Sequence, residues 1–442
     1  MRILYFLLWI AFHYSFRLYF RKIKVINPFK AFFGRTIYVS NHQGSFMDPL
    51  LIASQHRPIV YFMVRSDVFN KFTNPLLWMV HMLPIYRQRD GVDTKAKNAK
   101  VFEKTNEVLK RNRNILIFGE GFTDDRIQRR LHPIKKGAAR IGFSALDYCE
   151  WKEDVYLQGL GVNYTDFNLR GSDVVIAVGN KIKLNDYREA YKENPAKTIA
   201  EVTRLLEINM RELITDVHDT EWADVHEDVM MLTRKGMHPQ CFDDTISLVD
   251  RWKYSMALGE WFNRQSDESL RALSPLVNQI QTYKTSLKEL GISENERFLT
   301  EHNQWGIAKK MVLLFFLLPF ALLGLLHASL PYIVVKRWVE KKFKRPVFWG
   351  STKKVIAFFA CVIINIPVLI FLPKWLPFTV TLNVIISVLY YLAIGLFAQA
   401  FLASLKILKE LKRWRFLGKL DLREINNMHR SVTERLHQQI PS

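Results

Sequence analysis

Acidic residues are scarce in this 442-residue sequence: 42 Asp and Glu stand against 63 Lys and Arg, a formal charge of +21. Such an excess suits anionic partners, among them phosphorylated small molecules and lipid headgroups. Cysteine is nearly absent. Cys149, Cys241 and Cys361 are scattered with no CxxC, which excludes a disulfide framework and a Cys-rich zinc site. Gly (19) and Pro (16) are too few for a collagen-like or low-complexity chain. No G-x-S-x-G occurs, which argues against a hydrolase built on a nucleophile elbow. No H-E-x-x-H occurs either, so the cluster His218, Asp219, Asp224, His226, Glu227 and Asp228 reads as a solvated face rather than a metal site. Disorder is excluded by the 49% of apolar residues.

What the sequence does have is long apolar runs. Residues 311–335, 355–372 and 378–405 each carry no formal charge. About 20 such residues cross the hydrocarbon of a bilayer. The second and third runs, joined by Pro373-Lys374-Trp375-Leu376-Pro377, read as a hairpin over 355–405. Residues 336–354 hold eight basic residues and one acidic, and 406–442 hold nine and four. Both flanks therefore favour the cytoplasmic face. That leaves 311–335, with Pro319, Gly324, His327 and Pro331, better suited to a re-entrant path than to a full crossing. The basic tail is read as orienting the chain and meeting anionic headgroups, not nucleic acid. At the N-terminus, residues 1–30 begin with an apolar stretch followed by Arg17, Arg21, Lys22 and Lys24 and no A-x-A-like cleavage site, which predicts an interfacial membrane-associated helix.

Between these ends, strand-like runs alternate with helical ones. RTIYVS (35–40), IVYFMV (59–64), NILIF (114–118), VYLQGLGVNY (155–164) and DVVIAVG (173–179) predict strands. Residues 74–83, 94–112 and 135–148 predict helices. Alternation of this kind implies α/β layering on a largely parallel sheet. The predicted organisation is an N-terminal helix (1–30), an α/β domain (31–231), a helical connection (232–310), a hydrophobic membrane region (311–405) and a basic cytoplasmic tail (406–442).

Three segments carry candidate chemistry. After the first long strand comes Asn41-His42-Gln43-Gly44-Ser45-Phe46-Met47-Asp48, which offers a general base with an orienting carboxylate. A six-residue offset cannot share one helical face, so His42 must lie in a turn, where Gly44 frees the backbone. The segment Phe118-Gly119-Glu120-Gly121-Phe122-Thr123 can curl its N–H groups toward an anion, with Arg126, Arg129, Arg130, Lys135 and Lys136 supplying charge downstream. Arg87, in Leu83-Pro84-Ile85-Tyr86-Arg87, can chelate a phosphate. Two of these segments sit at strand ends, and the carboxyl edge of an α/β sheet is where ligands bind.

The strand followed by N-H-x5-D-P, then LPIYR, FGEG with KKGA after it, and LGVNY resemble the four ordered motifs of the PlsC-like glycerolipid acyltransferases, over roughly residues 20–180. The resemblance implies an α/β acyltransferase domain that transfers a fatty acyl group from acyl-CoA or acyl carrier protein to a hydroxyl. It implies His42 as general base and Asp48 as its partner. It also implies Arg87, Glu120, Gly121, Thr123 and Lys136 around the phosphorylated acceptor, with no metal and no cofactor beyond the acyl thioester. Three departures stand out: five residues rather than four between His42 and Asp48, and Gly119 and Gly159 where the family usually has Pro. The implied acceptor is 1-acylglycerol-3-phosphate, with glycerol-3-phosphate or a lyso-aminolipid as alternatives. A non-catalytic lipid-binding protein that kept the acyltransferase shell is the alternative of another class. The implied location is the inner (cytoplasmic) membrane, with the catalytic domain facing the cytoplasm.

Overall fold

A computed structural model describes residues 2–28, 34–56, 60–71, 73–86, 94–125 and 127–440, with the side chains of Arg2 and 94–98 left aside. The chain forms two compact units, Met1–Asp267 and Glu268–Ser442.

The first unit opens with α1 (Arg2–Tyr19) and β1 (Lys22–Ile26), followed by β2 (Thr36–Ser40), α2 (Met47–Gln55) and β3 (Val60–Arg65). Next come α3 (Asn74–Met79), β4 (Met82–Ile85), α4 (Thr94–Lys110), β5 (Asn114–Phe118), α5 (Gly137–Tyr148), β6 (Tyr156–Tyr164) and β7 (Asp173–Lys183). Four helices close the unit: α6 (Arg188–Glu193), α7 (Pro195–Arg211), α8 (Thr220–Thr233) and α9 (Leu248–Arg264). The seven strands form one sheet in the order β1-β7-β6-β2-β5-β3-β4. Every pairing is parallel except β6 with β7. The largely parallel α/β sheet expected from the alternation is therefore present. Its central strand β2 is buried at every position, as a strand covered on both faces must be.

Two strands differ from the sequence reading. Residues 22–26, expected to extend a membrane helix, leave α1 and pair with β7. Residues 74–83, expected to be one helix, stop at Met79, and Met82 begins an edge strand on β3. His81 between them has φ +62°, a left-handed residue that ends the helix. Helix α1 buries Tyr5, Phe12 and Phe16 yet leaves Ile3, Phe6, Leu7, Tyr14 and Leu18 exposed. At 100° per residue those five fall on one side, an apolar stripe facing solvent.

The second unit begins with α10 (Asp267–Ala272), α11 (Ser274–Glu289) and α12 (Glu294–Glu301). Helix α12 starts in a capping box, Ser293 with Glu296. Then come α13 (Ile307–Lys342), α14 (Trp349–Ile364), α15 (Ile366–Trp375), α16 (Val380–Leu417) and α17 (Arg423–Gln439). The tail is not loose: α17 packs on α11, and Arg297, buried on α12, bonds Glu294 at 2.7 Å and Asn426 at 3.0 Å. Three helical segments, 307–342, 346–375 and 380–417, are long and apolar enough to cross a membrane. Pro319 and Pro331 do not interrupt α13, which runs unbroken for 36 residues.

Candidate active site

Strand β2 ends at Ser40, and Asn41 anchors the turn beyond it. Its side chain donates to the carbonyl of Val162 at 3.0 Å and accepts from the Val162 N–H at 2.8 Å, locking the turn to β6. His42 then projects from the carboxyl edge of the sheet. Asp48 comes back to it from the first turn of α2 after a turn through Gly44 and Ser45, the latter at φ +52°. A Cβ on Gly44 would stand 2.7 Å from Asp48 Oδ1, so the turn admits no side chain there.

His42 Nδ1–H donates to Asp48 Oδ2 at 2.9 Å. The same oxygen accepts the Gly44 N–H at 2.9 Å, and Oδ1 accepts the Tyr164 hydroxyl at 2.7 Å. Asp48 is completely buried, whereas the His42 side chain is 22% exposed. The imidazole therefore has one nitrogen held by a fixed carboxylate, and Nε2, which bonds no described residue, is left with its lone pair. Its ring stacks on Phe118 at 4.0 Å between centroids. Burial, and after it the adjacent Asp48 charge, hold the Tyr164 hydroxyl far above the ordinary phenol pKa, so it stays a donor.

Glu120 is buried, and both of its oxygens meet backbone. Oε2 accepts the His42 N–H at 3.0 Å and Oε1 accepts the His132 N–H at 3.2 Å. Burial pushes its pKa up to about 7, against the opposing pull of these two N–H groups. Glu120 thus ties the turn that carries His42 to the loop 127–134. Gly121 follows in the left-handed region, φ +63°, and Lys135 Nζ lies 2.8 Å from where its Cβ would be. The ammonium at the Gly121 turn therefore belongs to Lys135. Lys136 lies at the start of α5 and lines a cleft with Ile134, Thr203, Arg204 and Glu207. Thr123 sits half-buried in the loop after Gly121. Arg87 and Arg126 fall outside the described residues. Arg129 is committed elsewhere: it pairs with Glu227 and donates to the carbonyls of Tyr164 at 3.1 Å and Met237 at 2.7 Å.

Both glycine departures have a physical reason. The Gly119 N–H donates to Ser40 O at 3.2 Å, a bond Pro cannot make, and a Cβ there would stand 2.8 Å from Val39 Cγ1. At Gly159 a Cβ would stand 2.8 Å from Met210 Cγ on α7.

The cluster read as a solvated face needs correction in part: His218, Asp219 and Asp224 are exposed, but the rest is not. His226 is fully buried and bonds Ser255 O at 2.8 Å, with its pKa pushed down to about 3, chiefly by burial. Asp228 is buried as well, and Glu227 holds Arg129. Helix α8, packed on α9, turns His226 and Asp228 inward, which a run of charged letters conceals. Sequence reasoning also missed the roles of Tyr164, Phe118 and His132. Tyr164 closes a predicted strand, and its position on the carboxyl edge beside β2 was the available signal.

A comparison with protein-family models matches residues 22–159 to the family described as Acyltransferase. No curated protein matches the chain. Among solved structures, the chain is similar to the crystal structure of the 1-acyl-sn-glycerophosphate (LPA) acyltransferase PlsC from Thermotoga maritima. The two share 16% identity over 46% of this chain and 73% of that one, with a TM-score of 0.31. The matched segment, residues 22–159, contains β1 to β5, the His42–Asp48 pair and the Glu120 turn.

Proposed function

We propose that this protein is a membrane-bound O-acyltransferase that moves a fatty acyl group from an acyl thioester, carried by CoA or acyl carrier protein, to the hydroxyl of 1-acylglycerol-3-phosphate. The observation that carries the reading is the chain Tyr164–Asp48–His42 at the carboxyl edge of the sheet, with a part-exposed imidazole whose Nε2 bonds no described residue. His42 Nε2 takes the proton as the acceptor oxygen attacks the thioester carbonyl. The C–S bond breaks as the tetrahedral intermediate collapses, and the imidazolium returns the proton to the departing thiolate. A positioned base of this kind contributes roughly 10²–10⁴-fold. Asp48 stabilises the transient imidazolium and fixes its tautomer. Lys135 and Arg87 supply positive charge for the acceptor phosphate, and positioning adds to the acceleration. The exposed stripe on α1 suits an interfacial helix where a lysolipid enters from the bilayer. The three long apolar helices support membrane association. We place the protein in the inner membrane with its catalytic unit on the cytoplasmic side, where acyl thioesters are made.

The test is acyl transfer by purified protein in detergent, using labelled palmitoyl-CoA and each acceptor in turn. Transfer to lysophosphatidate is the expected result, with His42→Ala losing activity at least 10²-fold at unchanged Tm. Transfer only to glycerol-3-phosphate or a lyso-aminolipid moves the acceptor assignment. Full activity in His42→Ala removes the base assignment. No transfer from either CoA or carrier-protein donors favours the non-catalytic lipid-binding reading.

A further inference from the structure

The three apolar segments of the second unit do not run as three crossings. Helices α13 and α16 pack antiparallel along their length. Lys310 bonds Glu410 at 2.8 Å near one end, and a Cβ on Gly324 would stand 2.0 Å from Phe397 O near the middle. His327 Nε2 accepts the Tyr390 hydroxyl at 2.8 Å further along. By this register Val339 lies level with the first turn of α16. The near end of the pair therefore holds Ile307 and the Leu417 terminus, and the far end holds Lys342 and Val380.

Helix α14 starts at the far end, where Lys353 Nζ bonds Glu340 at 3.1 Å. It descends only to Asn365, whose Oδ1 accepts His327 Nδ1–H at 2.6 Å. Helix α15 ends where Asn383 Nδ2 donates to the carbonyls of Pro373 at 3.0 Å and Leu376 at 2.9 Å, again at the far end. A path continuing past Asn365 in the direction of α14 would carry Pro373 about 24 Å from Asn383. The chain thus enters and leaves by the same end. Neither leg is long enough to cross: 16 residues in α14 and 10 in α15, about 24 and 15 Å, against about 30 Å of hydrocarbon.

The break is chemically prepared. Pro367 begins the second leg without needing an N–H partner. Asn365 Nδ2 donates to Cys361 O at 2.8 Å and His327 O at 3.2 Å, and the Tyr391 hydroxyl donates to Val362 O at 2.6 Å. Carbonyls freed at a helix end inside lipid have no water to pair with, so these side chains take its place. His327 lies about 12 Å inside the apolar run from Val335, well within the hydrocarbon.

We infer that residues 307–417 meet the lipid bilayer as two crossings, α13 and α16, with a re-entrant helical pair, α14–α15, dipping in from the far face to a polar apex of His327, Asn365 and Tyr390. The helical cap 268–306 and the C-terminal helix α17 then share one face, and the links 343–348 and 376–379 share the other. Charge alone does not decide this, because 336–354 holds eight basic residues and 309–310 with 406–419 hold eight more. The inference is independent of the acyl-transfer reading.

The experiment is added-cysteine labelling of the full chain in sealed, oriented membrane vesicles with a membrane-impermeant maleimide. Wild-type protein gives the background of Cys149, Cys241 and Cys361. The variants are Lys288→Cys, Lys344→Cys, Phe378→Cys and Arg423→Cys, all at exposed positions. Lys288→Cys and Arg423→Cys are expected to label together, and Lys344→Cys and Phe378→Cys to label together with the opposite sidedness. Phe378→Cys labelling with Lys288→Cys while Arg423→Cys labels with Lys344→Cys means three crossings and overturns the proposal. All four labelling from one side means no crossing and overturns it equally.

Discussion

A carboxylate removed from water keeps its charge only where hydrogen bonds replace the lost hydration. Asp48, wholly buried, has three such bonds: His42, Gly44 and Tyr164. The first is the contact proposed to orient the base, and the second shapes the turn. The third holds the other oxygen and so fixes the plane of the carboxylate that aims the imidazole. Tyr164→Phe removes that bond without opening a cavity. Asp48 keeps its two remaining partners, but its plane is freer and the imidazole less well aimed. A hydrogen bond to a charged group is worth about 1.5–3 kcal/mol, or roughly 10–100-fold. The expected outcome in the acyl-transfer assay is a fall in kcat of that order with KM for the acceptor unchanged. An unchanged kcat with a lowered Tm would make Tyr164 a packing residue only. His42 and Asp48 were readable from the sequence because they share one turn. Tyr164 lies 116 residues from Asp48, and Glu120 lies 78 from His42, so neither role has a local signature.

Elements show the same division between local and distant causes. β2 and β5 were legible as apolar runs, because a strand covered on both faces carries its burial in every letter. β1 and β4 were not, because edge strands exist through their partners β7 and β3. In the second unit the local signal at Asn365-Ile366-Pro367 is a helix end, while the direction of the return depends on His327, 38 residues away. The sequence reading assigned the re-entrant path to 311–335, where the prolines are, but α13 is continuous and the break lies in the second run. The contact that sets the register is Gly324 on the Phe397 carbonyl. Gly324→Leu is expected to force α13 and α16 apart and lower Tm in detergent, since overpacking typically costs about 1–3 kcal/mol and backbone here cannot yield. Gly395→Leu, where nothing lies within 4 Å of the new Cβ, is the control and should leave Tm nearly unchanged. Equal Tm values for the two variants would show that close packing at Gly324 does not hold the pair.

Across the whole molecule the charge is unevenly shared. Residues 268–442 contain 24 basic and 10 acidic residues, +14 of the total +21, although they are the smaller unit. Sixteen of the 24 basic residues flank the apolar helices in two sets of eight, at 336–354 and at 309–310 with 406–419. On the two-crossing path inferred above, sets at opposite ends of α13 and α16 would place cations at both headgroup layers, where a hairpin over 355–405 would place its flanks on one. Basic residues near an anionic membrane surface gain about 1 kcal/mol each, an attraction that dies within a Debye length of about 10 Å at 0.1 M salt. The protein should therefore be more heat-stable in nanodiscs rich in phosphatidylglycerol than in phosphatidylcholine at low ionic strength. The gap should close toward 1 M salt, where the Debye length is about 3 Å. Thermal unfolding followed by tryptophan fluorescence in the two lipids, across a salt series, measures both the gap and its screening. A difference that persists undiminished at high salt would mean that lipid packing, and not these sixteen cations, is what the second unit senses.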